Sequence, residues 1–130
     1  LTLDRIVNAA ASGDGARAVT ELQRALTAGE SAQGIISAVQ RHFTRLHRIR
    51  ASVDAGKSIE QVISEIRPTV HFKQKDILAA QSRAWRLDTL DAALAGIGVA
   101  ARTARVSSGL EDLLAERLIL TLSRLARPIR

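Results

Sequence analysis

Three arginines form the clearest chemical pattern in this sequence. Arg41, Arg45 and Arg48 are spaced four and three residues apart, which places them on one face of a helix with 3.6 residues per turn. A guanidinium group is permanently charged and binds phosphate or carboxylate oxygens through paired N–H donors. The spacing therefore predicts a basic stripe. It contacts either phosphates or the acidic side chains of a neighbouring helix or subunit, and the sequence leaves both alternatives open.

Further basic residues follow Pro68, and Lys73, Lys75 and Arg83 are candidate contacts for the same kind of acidic partner. Residues 41–86 hold ten Lys or Arg and four acidic residues, so this block carries the whole net charge of +6. Such a block can steer a nucleic acid or an acidic protein toward the chain, or it can simply be a solvated surface. Phe43 lies between these arginines in the sequence but belongs to the apolar face of the helix, and no base-reading residues accompany the stripe, so its nucleic-acid signal is weak.

The three histidines do not form a metal-ligand pattern. His42 and His47 are five residues apart, whereas two ligands on one helix face need a spacing of three or four. No serine nucleophile motif occurs. The sequence therefore predicts no catalytic residue and no metal site.

A glycine pattern at residues 96–101, Gly-Ile-Gly-Val-Ala-Ala, formally matches the dinucleotide-binding fingerprint. That fingerprint requires a strand before it and a helix that begins at it. Here the pattern lies inside a helical segment, so we interpret its small residues as a place where two helices approach closely. No phosphate-binding loop of the G-x-x-x-x-G-K-[ST] type is present, and no cofactor is expected.

Apolar residues recur with the helical period along nearly the whole chain, and no strand pattern is found. The segment after Ser31 is the longest of these helices. Asp14, Ser58, Asp88 and Ser108 are expected to cap other helices, the two serines in the form of a capping box. These signals predict an all-α fold, a compact bundle of six or seven helices with short loops, formed by a single domain over residues 1–130.

The chain has 46% hydrophobic residues but only three large aromatic side chains, and Phe43, Phe72 and Trp85 are expected to anchor the core. Without cysteine, disulfides and thiolate metal sites are excluded. No apolar run approaches 18 residues, so no membrane span is expected. A chain that starts at Leu1 and contains no Met is expected to be an excised piece of a longer protein.

Residues 67–94, RPTVHFKQKDILAAQSRAWRLDTLDAAL, resemble the C-terminal domain of the delta subunit of the bacterial DNA polymerase III clamp loader. The positions that fit the layout of this family are Pro68, Val70, Phe72, Lys73, Lys75, Asp76, Gln81, Trp85, Leu87 and Leu90. Residues 14–50 and 113–126 are similar to other helices of that domain. The family often has a Lys between its last two helices, whereas this chain has Arg102 and Arg105 nearby, and no role of that Lys is carried over.

The resemblance implies a collar domain that packs against equivalent domains of the other clamp-loader subunits, of the delta-prime and gamma/tau type. It implies a cytoplasmic, bacterial protein whose complex loads the sliding clamp onto primed DNA. The domain itself would not be an enzyme, and its parent would be a non-ATPase subunit of a DNA-directed DNA polymerase, a nucleotidyltransferase. The alternative is a small helical DNA-binding domain that uses the basic block 41–86.

Overall fold

The computed structural model describes residues 2–126. This part of the chain contains seven α-helices joined by short loops, and no strand. Leu1 and residues 127–130, the two ends of the expected single domain, lie outside this part. The all-α bundle predicted from the periodicity is confirmed. The helices are α1 (Thr2–Ala11), α2 (Gly15–Thr27), α3 (Ala32–Asp54), α4 (Ile59–Ser64), α5 (Phe72–Ala84), α6 (Leu87–Val106) and α7 (Glu111–Leu125).

Side-chain caps begin the helices that have a clear local signal. Asp14 accepts a hydrogen bond from the backbone N–H of Arg17 over 3.1 Å. Ser58 accepts one from the N–H of Gln61, also over 3.1 Å. Each bond satisfies one of the first four N–H groups of a helix, which have no partner inside the helix itself. The predicted caps of α2 and α4 are therefore confirmed.

The predicted caps of α6 and α7 are wrong. The residue before α6 is Arg86, which makes no capping bond, and Asp88 lies inside the first turn, where it accepts from the N–H of Thr89. Helix α7 follows Leu110 instead of Ser108. Glu111 accepts a bond from the N–H of Gly109. In both places an acidic side chain near the helix start complements the helix dipole, so a cap is not needed to begin the helix.

The long helix α3 lies at the centre of the bundle and packs against α1, α4, α5, α6 and α7. Its inner face is buried: Ile35, Ile36, Val39, Phe43, Leu46 and Ile49. Phe43 meets Trp85 edge-to-face, with the ring centroids 5.1 Å apart, a geometry that adds to the burial of both rings. The prediction that Phe43 and Trp85 anchor the core is confirmed.

Phe72 does not anchor the core, and this prediction is wrong. The ring is 70% exposed and stacks on His71, with centroids 4.9 Å apart. The buried side of α5 carries Leu78 and Gln81, and Trp85, just after the helix, is buried as well. Since Phe72 and Gln81 are nine residues apart, about two and a half turns separate them and they lie on opposite sides of the helix. The helical period alone therefore predicts that Phe72 and Gln81 lie on opposite sides of α5.

Candidate anion-binding groove

An open groove of about 660 Å³ runs between α3 and α4. Arg41, Arg45 and Arg48 all line it, and all three side chains are exposed. They lie within about 60° of the circumference of α3 and cover about 10 Å of its length. The predicted basic stripe therefore exists and lies along one wall of a concave surface.

The three arginines of this wall have no ion pair and no side-chain hydrogen bond within residues 2–126. The next arginine of α3 behaves differently, because Arg50 binds Asp54 at 2.6 Å and the carbonyl of Ser82 at 3.2 Å. Arg50 thus stabilises the contact between α3 and α5, whereas the wall arginines serve no such contact. Their donors are free to bind an anion.

Two further cations complete the groove, and the sequence patterns did not single them out. Lys57 follows the end of α3, and Arg67 follows the end of α4. Arg67 donates to the backbone carbonyls of Ser64 and Ile66 at 2.8 and 2.9 Å. Ser64 is the last residue of α4, where the carbonyls have no donor inside the helix. The sequence signal was available, since each residue is a basic side chain placed just past a helix end.

The charge of the groove is strongly positive. Its lining contains five cationic side chains and one acidic side chain, Glu65, which gives a net charge of +4. Glu65 lies 3.6 Å from Lys57 and offsets part of that charge at one end only. Gln40, Thr44 and Ser52 add polar groups, and Ile49, Val62 and Ile66 supply the apolar lining.

The remaining predicted contacts lie elsewhere. Lys75 and Arg83 line a separate depression between α4 and α5, next to Asp76, and Arg83 pairs with Glu60 at 3.1 Å. Lys73 is exposed at the start of α5 and lines neither surface. The basic block 41–86 is therefore divided, and its α3 part forms a cluster of three unpaired arginines.

Beside the groove, a partly buried hydrogen-bond network connects α1, α3 and α5. His42 Nε2 lies 2.7 Å from Gln81 Oε1, and Gln81 Nε2 donates to Asn8 Oδ1 and Ser12 Oγ at 3.1 and 3.2 Å. Burial lowers the pKa of His42, opposed by the bond to Gln81 and reinforced by the charge of Arg45. A neutral imidazole in this place donates from Nε2 to the amide oxygen. The network therefore connects three helices of the bundle through side-chain hydrogen bonds.

The outer side of α6 carries an uncharged stripe, formed by Ala92, Gly96, Val99, Thr103 and Val106, which we call the α6 stripe. These positions lie within about 80° of the helix circumference. Val99 is 54% exposed and Val106 84%. Among residues 2–126, a Cβ atom added at Gly96 would meet nothing within 4 Å, so packing in this part of the chain does not require a glycine there.

No group of three or more potential metal ligands occurs within residues 2–126. No helix in that range combines the length and the apolar content that crossing a membrane needs. Comparison of the chain with known protein families, curated proteins and solved structures gives no match.

Proposed function

We propose that this chain is an assembly domain, which packs side by side with other helical domains as the collar of a bacterial clamp loader. Its partners are the delta-prime and gamma/tau type subunits, and the assembled complex loads the sliding clamp onto primed DNA during replication in the cytoplasm. The chain itself carries out no reaction in this proposal. Its parent is a non-ATPase subunit of the DNA polymerase holoenzyme.

The observation that carries the proposal is the α6 stripe. Two of the large hydrophobic residues exposed on the described part of the chain, Val99 and Val106, belong to this stripe. Two more, Leu110 and Leu113, follow soon after it in the chain, just before α7 and in its first turn. Clustered exposed apolar side chains mark surfaces that other proteins cover. The stripe is about 20 Å long at 1.5 Å per residue, which suits a side-by-side contact with one helix of a neighbouring domain.

Gly96 supports the same interpretation. A glycine in an exposed helix interior is less favourable than alanine by about 1 kcal/mol. In the described part of the chain nothing lies within 4 Å of the place that its Cβ would take, so packing among residues 2–126 gains nothing from a glycine here. A partner helix that crosses α6 at Gly96 would gain a close backbone approach.

The resemblance of residues 67–94 supplies the identity of the partners, and the structure gives some of its positions a folding role. Gln81 and Trp85 both bind the end of α1. Both side chains therefore hold α5 against α1. Such a structural role is what a scaffold domain requires of them.

The test is co-elution of the purified chain with delta-prime and gamma/tau type subunits in size-exclusion chromatography. We expect the wild type to join the complex at micromolar concentrations. Val99→Glu should weaken that association at least tenfold, because it buries a carboxylate in the contact. Thr20→Glu, which places the same charge on the exposed side of α2, is the matched control and should associate like the wild type.

A wild-type chain that elutes alone at tens of micromolar in the presence of these subunits would overturn the proposal. Equal loss of association in Val99→Glu and Thr20→Glu would show that the contact lies away from the α6 stripe. Circular dichroism of each variant checks that the helices remain intact.

A further inference from the structure

We infer that the groove between α3 and α4 binds the phosphodiester backbone of single-stranded nucleic acid. This site lies on a different part of the bundle from the α6 stripe, and it goes beyond an assembly role. It is formed by Arg41, Arg45 and Arg48 on one wall, with Lys57 and Arg67 at the helix ends.

The wall arginines have no ion pair in the described part of the chain. Residues 2–126 contain no carboxylate paired with any of the three, although Arg24, Arg50, Arg83 and Arg86 each have an acidic partner. Three like charges on adjacent turns of one helix repel one another. An anion with repeated charges relieves this repulsion at every turn.

The shape of the groove favours a flexible chain of phosphates over a rigid duplex. The arginines line a concave surface between two helices, and a single strand can bend into it. Duplex DNA is stiff over about 50 nm, so a duplex would touch only the rim. The arginines are spaced by about one turn each along α3, or about 5 Å, and therefore contact successive points along a strand.

The lining of the groove also distinguishes a nucleic acid from an acidic helix of another protein. A helix docks through apolar anchors placed in a hydrophobic groove. This groove instead presents five cations together with Gln40, Thr44 and Ser52, and its apolar lining consists of three aliphatic side chains. It contains no aromatic ring, so its main contacts are to phosphates, and binding is independent of sequence.

The affinity should therefore depend steeply on salt. Release of counterions from a single strand gives a slope of log K against log[salt] of about −0.7 per phosphate contact. Three to five contacts predict a slope of about −2 to −3.5, and hence a loss of affinity of about 20- to 100-fold between about 50 and 200 mM salt.

Fluorescence anisotropy with labelled oligothymidylate across a salt series tests the site. The triple variant Arg41→Gln/Arg45→Gln/Arg48→Gln should bind at least tenfold more weakly than the wild type at low salt. Its salt slope should be shallower by about 2, because three phosphate contacts are lost. The matched control is Lys73→Gln/Lys75→Gln/Arg105→Gln, which removes the same three charges outside the groove and should retain most of the wild-type slope.

Three results would overturn the inference. One is equal loss in the triple variant and its control, since that would reveal attraction by overall charge alone. Another is tighter binding of a duplex of equal length than of the single strand. The third is competition by poly-glutamate as effective as that by oligothymidylate. Val99→Glu should bind oligothymidylate like the wild type, because Val99 lies outside the groove. Anisotropy therefore tests nucleic-acid binding, and co-elution tests assembly, and either one can fail without the other.

Discussion

Trp85 donates its indole N–H to the carbonyl oxygen of Ala11 across 2.8 Å, and the bond is buried. Ala11 is the last residue of α1, where the final carbonyls of a helix have no partner in the helix itself. The side chain that fills the core against Phe43 thus also completes the end of α1. One residue couples three helices, and its loss should be felt in the stability of the whole domain.

Trp85→Phe keeps an aromatic ring but removes this donor. We expect the free energy of unfolding to fall by about 1–3 kcal/mol, the penalty for a buried carbonyl without a partner, with a further loss from the smaller ring. Urea unfolding followed by circular dichroism measures it. Thr20→Ala removes an exposed bond to the carbonyl of Ala16 and should change stability by less than about 0.5 kcal/mol. Equal effects of the two substitutions would contradict the role of the indole bond.

Phe72→Ala should leave the domain nearly as stable as the wild type, with a change below about 0.5 kcal/mol, because the ring is mostly in solvent. Phe43→Ala is the matched comparison. It empties a fully buried site and should cost about 3–5 kcal/mol. Thermal and urea unfolding of both variants measure the difference, and a loss of several kcal/mol from Phe72→Ala would contradict the exposed position of its ring.

His42 should make stability depend on pH below its ordinary pKa. Burial lowers the pKa of His42 in the folded state below 6.5, whereas the unfolded chain retains a value near 6.5. Between these two values the unfolded state binds more protons, so stability rises with pH through this window and is lost as the pH falls through it. Above 6.5 the contribution is fully present.

The variant His42→Gln should flatten the pH dependence in that window, because the proton uptake on unfolding is removed. Urea unfolding between pH 5 and pH 7 gives the slope directly. Thr20→Ala changes no titratable group and should retain the wild-type slope. Parallel curves for His42→Gln and the wild type would show that His42 does not titrate differently on unfolding.

Gly96→Ala should stabilise the isolated domain by about 0.5–1 kcal/mol, because alanine favours the helix and the added methyl group meets open space. Gly109→Ala should do the opposite, since Gly109 has a φ of +85° that a side chain disfavours. Differential scanning calorimetry measures both. Destabilisation by Gly96→Ala would mean that α6 requires a glycine for its own packing.

The sequence predicted the helices best where a boundary has a local cause. Asp14 and Ser58 bind N–H groups three residues ahead of themselves, and this interaction needs no distant part of the chain. Asp88 and Ser108 look equally suitable in the sequence but lie in the wrong register. Helices α6 and α7 begin without a side-chain capping bond, so a capping residue does not mark where they start.

The candidate site was predicted in part. The spacing of Arg41, Arg45 and Arg48 was sufficient to place them together, because one helix fixes their relative positions. Lys57 and Arg67 join them only because α4 folds back beside α3. The same folding moves Lys75 and Arg83 to another surface. Basic residues that belong to one charged block of the sequence are therefore not all close together in the structure.

The sequence by itself determined the all-α class, most helix bounds and the basic stripe, since each follows from interactions within a few residues of the chain. The tertiary structure alone decided which α3 arginines remain unpaired, which cations share the groove and which side of α6 faces solvent. Those outcomes depend on the packing of helices that are distant in the chain. That packing is selected by the burial of Phe43, Trp85 and their aliphatic neighbours, and no local pattern encodes it.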